Sequence, residues 1–220
     1  IVLDNLSSDY YGTSFQINST NADFSGALLD MRATSGNVNS ANGRFLRCYS
    51  NNGSSEKFHV KGSGEIYTAS GILLGGTGSA NKLDDYEQGN YTATINCTSG
   101  SITLDSSYNQ LSYTKIGRAV TICGRIHIDS VSSPSGSASL TLPFVVATGA
   151  DHSTYGGLSI YHHDINLGSG GIGLFGESPP NTSIAYINIL KNNGQWAPSA
   201  SIFDGGDEWM YFAGTYFASA

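Results

Sequence analysis

Residues 118–130 read RAVTICGRIHIDS. Val120, Ile122, Ile126 and Ile128 occupy even positions, with Thr121, Cys123, Arg125, His127 and Asp129 between them. A period of two puts the apolar set on one face of a β-strand and the polar set on the other. The pattern spreads outward. SASLTLPF (137–144) groups Ala138, Leu140, Leu142 and Phe144, and YTATINC (91–97) groups Tyr91, Ala93, Ile95 and Cys97. Further strand signals lie in LSYTKIG (111–117), GLSIYHHDINLG (157–168), GIGLFGE (171–177), SIAYINILK (183–191) and DEWMYFAGTYF (207–217). Short strands at regular spacing, separated by Gly/Ser/Asn/Pro turns, predict an antiparallel β-sandwich or jelly-roll-like domain.

Composition points the same way. Tyr, Thr, Ile and Val favour strands, whereas strong helix formers are scarce, with five Glu and two Met in 220 residues. Charged residues make up 12% of the chain, about half the usual share, so solubility rests on hydroxyls and amides. A net charge of −7 argues against a nucleic-acid partner, which calls for a basic face. No segment approaches the ~20 apolar residues of a membrane-spanning helix. Cys48, Cys97 and Cys123 are odd in number and widely spaced, unlike a disulfide framework or a zinc site, and imply cytoplasmic synthesis with free thiols. The chain opens at Ile1 without a signal-peptide pattern, as expected of a piece of something longer.

The first third is different. In GRFLRCYSNNGSSEKFHVKGSGEIYTASGILLGG (43–76), runs of three to six residues are punctuated by turn sequences. Runs this short cannot bury a core alone, so their apolar faces need a cover, either another domain or, as expected here, identical chains wound about a shared axis. The glycines at 75, 76 and 78 mark a boundary. The expected organisation is a β-rich shaft at 1–76, a linker with an acidic cluster at 77–90, and a head at 91–220.

Four stretches in order carry a resemblance: KLDDYEQGNYTATI (82–95), SYTKIGRAVTICGRIHI (112–128), GSASLTLPFVV (136–146) and FAGTYFA (212–218). Together they resemble the C-terminal region of a common type of bacteriophage tail fibre protein. That group typically carries L-D-D-Y-E-E-G-x-[WY]-T-P, then Y-x-K-[IV]-G-x-x-V, a small-residue run into L-P-F, and a closing G-x-Y. Gln88 departs from the usual second Glu, Asn90-Tyr91 from Thr-Trp, and Ala93 from Pro. The resemblance implies a homotrimeric virion protein, made in the host cytoplasm and mounted at the tail. It implies attachment to a host surface glycan or outer-membrane protein, with other tail proteins as partners. It supplies no catalytic residues and no ligand identity.

The cluster Asp84, Asp85 and Glu87 invites an enzymatic reading, but adjacent residues of an extended chain point to opposite sides and cannot flank one bond. It reads as punctuation at the entry to the head, its acids meeting backbone N–H groups or a basic residue of a neighbouring chain. Asp204, Asp207 and Glu208 form a candidate Ca²⁺ site in a glycine-containing loop, and no other cofactor is expected. GxSxG, HExxH and phosphate-loop patterns are missing, so a non-enzymatic role is expected. Recognition residues are sought in loops where aromatic rings stand beside small polar groups, a pairing suited to sugars. His152, Tyr155, His162, His163, Asn193, Trp196 and Trp209 meet that description. The alternatives are a purely structural capsid fibre or tail adaptor, and a polysaccharide depolymerase.

Overall fold

The computed structural model describes residues 44–50, 55–149 and 155–219. They are all-β, interrupted by short 3₁₀ turns at Ser79–Asn81 and Ala200–Ile202. No helix among the described residues is long and apolar enough to cross a membrane. The chain divides into two units, 1–70 and 71–220.

The first unit holds an antiparallel sheet of β1 (Arg44–Ser50), β2 (Ser55–Lys61) and β3 (Ile66–Thr68). Glu56 accepts from Arg47 at 3.0 Å and lies 3.2 Å from His59, whose ring stacks on Tyr67. Phe45, Leu46, Tyr49, Ile66 and Tyr67 remain exposed, the uncovered apolar surface that such short strands leave.

The second unit begins with a ribbon of β4 (Ile72–Leu73) and β5 (Lys82–Leu83). The glycine-rich run that reads as a boundary therefore lies inside this unit. There follow β6 (Tyr86–Thr92), β7 (Ile95–Leu104), β8 (Gln110–Ile116), β9 (Ala119–Thr141) and β10 (Gly156–His163). The set ends with β11 (Gly171–Ser178), β12 (Ile184–Lys191), β13 (Trp196–Pro198) and β14 (Glu208–Phe217).

One nine-stranded sheet contains β6 to β14. Its organiser is β9, 23 residues long. Its first half pairs with β14 from Ala119 to Ile128, and its last residues, Ala138–Thr141, pair with β12. Because β14, β10, β11 and β12 are themselves paired in that order, the sheet closes on itself through β9. The two faces expected of a sandwich thus take the form of one barrel-like ring. Along the other edge of β9, β8 and β7 lie in succession. The turn sequence SVSSPSGS within 130–137 does not end the strand. It is absorbed as bulges against β7, with Ser133 at φ 43° and Gly136 at φ 77°. The apparent single strand at 91–97 is instead the end of β6 and the start of β7, divided at Ala93-Thr94.

The core follows the parity of the opening stretch. Val120, Ile122, Ile126, Ile128, Ala138 and Leu140 of β9 all face inward, onto Met210, Phe212 and Tyr216 of β14 and Ile187 of β12. Gly124 shares that inward parity. Its φ of 143° is one that residues with a side chain rarely adopt, and a Cβ there would also lie 2.7 Å from Leu111 Cδ2.

The acidic cluster lies at the mouth of this sheet. Asp84 pairs with Lys82 at 2.7 Å, Asp85 accepts from the buried Lys115, and Glu87 accepts from the Tyr113 hydroxyl. All three partners belong to the same chain. Lys115 and Tyr113 share the inward side of β8 with Leu111, so the acids at 85 and 87 seal the start of β6 onto the core.

Candidate functional site

Parity on the ring also decides which residues meet outside it. Glu177 of β11 and Tyr186 of β12 are direct cross-strand partners, so their side chains share one face. Asn188 follows two residues after Tyr186 on that face, with Pro198 of β13 opposite it. Trp196 pairs with Leu190 at the outer edge. Glu177, Tyr186, Asn188 and Trp196 line a cleft of about 320 Å³, completed by Tyr155, Ser137 and Pro179. That volume is at the lower end of small-ligand clefts.

Two polar groups in the cleft lack partners. Asn188 is 4% exposed, yet its amide makes no hydrogen bond to the chain. Its amide atoms are not sealed from solvent either, so they open into the cleft. Open to the cleft, the amide is free to bond water or a ligand group that takes the water's place. Glu177, half-buried, likewise has no ion pair or hydrogen bond among the described residues. Trp196, by contrast, is 63% exposed, a large aromatic ring held at the rim. The arrangement offers ring faces for stacking, and an amide and a carboxylate for hydrogen bonds.

A second aromatic surface lies on the outer face of β9, β14 and β10. Trp209 stands opposite His127 on one side and His163 on the other, and Tyr211 opposite Arg125 and Tyr161. The Trp209 ring stacks on His127 at 4.4 Å and meets Tyr108 edge-on at 5.0 Å. The Arg125 guanidinium lies 4.8 Å from the centre of Trp209 and 5.4 Å from that of Tyr108. Asp207 accepts from Trp209 Nε1 at 2.9 Å and lies 3.1 Å from His127 Nε2. Asp105 lies 3.5 Å from the other ring nitrogen, its carboxyl held below the usual range by the Ser107 N–H. This cluster satisfies most of its own polar groups.

The expected recognition residues divide among these surroundings. Tyr155 and Trp196 come together in the cleft, and Trp209 and His163 lie side by side on the second surface. His162 points to the other side of β10, where burial lowers its pKa and leaves Nδ1 unpaired. Asn193 folds into its own turn, bonding Gln195 through both ends of its amide at 3.0 Å. His152 lies outside the described residues. Of the metal candidates, Glu208 is buried and accepts from the N–H groups of Asp204 and Gly205 at 3.1 and 3.0 Å. Asp204 accepts from Gly206, and Asp207 turns to Trp209. No group of three or more His, Cys, Asp or Glu that could hold a metal ion is found among the described residues.

Glu177, Tyr186 and Asn188 were not singled out from the sequence. A signal existed for Asn188, a polar residue inside the apolar run IAYINIL. The SPPN turn that brings Glu177 opposite Tyr186 reads only as a loop until the β11–β12 register is known.

Among solved structures, the chain is similar to a crystal structure of the Dettilon tailspike protein. The TM-score is 0.50 and the identity 21%, over 60% of this chain and 24% of that one. The likeness is one of fold, and the chain spans about a quarter of the length of that protein. No protein-family model matches the sequence, and no curated protein matches it.

Proposed function

We propose that this chain is part of a bacteriophage tail fibre or tailspike, and that its head attaches the virion to a glycan on the host surface. The observation that carries the reading is the cleft between β11, β12 and β13, where exposed aromatic rings surround an amide that the chain itself leaves unbonded. Stacking on ring faces with a few fixed polar groups is the chemistry by which proteins hold sugars. The ordered motifs across residues 82–218 and the fold shared with a tailspike supply the virion context.

The reading extends to a homotrimer. Tyr86, Ile116, Ala119 and Phe217 lie in one register row across β6, β8, β9 and β14 and so share a face. Tyr86, Ile116 and Phe217 are exposed, giving an apolar stripe that a second and third copy would cover. Three linked heads would raise attachment strength through avidity. The role is non-enzymatic. Among the described residues lining the cleft Glu177 is the lone carboxylate, whereas glycosidic cleavage by the usual route uses two that flank the bond.

The test is an adsorption competition. The purified chain, its oligomeric state fixed by mass, is mixed with host cells before the parent phage is added. Dose-dependent loss of adsorption supports attachment. No loss from a folded oligomer assigns the chain to a structural role inside the tail.

A further inference from the structure

We infer that the cleft selects a sugar carrying a protonated amine, with the ammonium held between Glu177 and the aromatic rings. The inference rests on the attachment reading of the same cleft and adds the class of its ligand.

Among the described residues lining the cleft, Glu177 is the only carboxylate or basic group. It is half-buried, stands beside Tyr186 in register, and has no cation or donor paired with it among the described residues. A carboxylate partly removed from water attracts a cation more strongly than an exposed one. Ring faces of Tyr and Trp attract a cation as well, through their quadrupoles. Tyr155, Tyr186 and Trp196 supply three such rings around the same space.

Other sugar classes match less of this surface. An acidic sugar finds no Lys, Arg or His among the described residues of the lining and meets Glu177 on a chain of net charge −7. A neutral sugar can stack on Trp196 and bond Asn188, but it leaves the carboxylate without a charged partner. An ammonium brings three N–H donors and a positive charge to Glu177. An adjacent hydroxyl of the same sugar then reaches the Asn188 amide. All the unpartnered groups are used at once.

The experiment titrates the 220-residue chain with glucosamine, glucose, N-acetylglucosamine and choline, following amide resonances by NMR at slightly acid pH, where the sugar's amine is protonated. Glucosamine is expected to bind about tenfold more tightly than glucose or N-acetylglucosamine, as befits a charge-assisted bond. Glu177→Gln, an isosteric change at a half-buried position, is expected to erase that preference, bringing glucosamine to the affinity the same variant shows for glucose. Trp196→Ala, at an exposed position, is expected to weaken every sugar. Equal affinity for glucosamine and glucose would overturn the inference, as would a preference that survives Glu177→Gln or no response to any sugar. Choline binding more tightly than glucosamine would assign the cleft to a lipid headgroup and overturn it too. Sugar binding that needs Trp196 but ignores the amine removes this inference and leaves the attachment reading standing. Uncompeted phage adsorption removes the attachment reading instead.

Discussion

Lys115 and Asp85 form an ion pair whose two halves sit in different surroundings, the lysine side chain 8% exposed and the aspartate 42%. The lysine comes from the inward face of β8, beside Leu111, and its ammonium also lies 5.5 Å from the centre of the Phe144 ring. Removing the aspartate strands a buried positive charge, whereas removing both charges strands nothing. Asp85→Ala should therefore lower stability by about 1–3 kcal/mol in urea unfolding, and adding Lys115→Met should return much of it. Equal losses from the single and the double variant would show that the pair does not anchor β6.

Glu208 holds the loop before β14. It is 1% exposed and accepts two backbone N–H bonds, from Asp204 and Gly205. Alanine at this position should cost about 1–3 kcal/mol, because both amides lose their acceptor. The pH dependence has a definite sign. Burial raises the Glu208 pKa above its ordinary 4.5, and the two amide bonds offset this only in part. The folded chain therefore holds that proton more tightly than the unfolded chain does. Glu208's contribution is fully present below pH 4.5 and is lost as pH rises through the raised value. Glu208→Gln should flatten this part of the melting-temperature profile, and an unchanged profile would contradict the assignment.

His162 works in the opposite direction. Burial lowers its pKa from 6.5, so the folded chain resists protonating it. The stability it supplies is present above pH 6.5 and is lost as pH falls through the lowered value. His162→Leu should flatten the acid side of the same profile without altering the Glu208 step. If loss below pH 6.5 persists in that variant, another group carries it.

The row of Tyr86, Ile116 and Phe217 predicts an oligomer that depends on apolar contact. Ile116→Lys with Phe217→Glu should shift the chain toward monomer in sedimentation velocity. Both positions are exposed in the single chain, so circular dichroism of that monomer should keep its β signature. An oligomer indifferent to both changes would relocate the interface to other residues.

Much of this fold could be read along the chain, because the side-chain period of a strand is local. The even-position residues from Val120 to Ile128 specified the inward face, and the same parity separates His162 from His163 and Asp207 from Glu208. Closure could not be read that way. It depends on β9 pairing β14 at one end and β12 at the other, contacts made far apart in sequence. The turn-rich SVSSPSGS run looks like a strand end and becomes a bulged continuation only because β7 lies beside it. The candidate site follows the same division. Trp196 and Tyr155 stood out as aromatic residues in loops, while Glu177 and Asn188 gained meaning only once the β11–β12–β13 register set them on one surface.

Attachment through that surface is most directly tested by comparing the chain with its Trp196→Ala variant as competitors of phage adsorption. Trp196 is 63% exposed, so its removal should leave folding and oligomer mass unchanged. The expected result is dose-dependent blocking by the native chain and at least about a tenfold higher concentration needed for the variant, the mark of a lost binding anchor. Equal blocking by both would show that attachment uses another part of the molecule and would contradict a receptor role for the cleft.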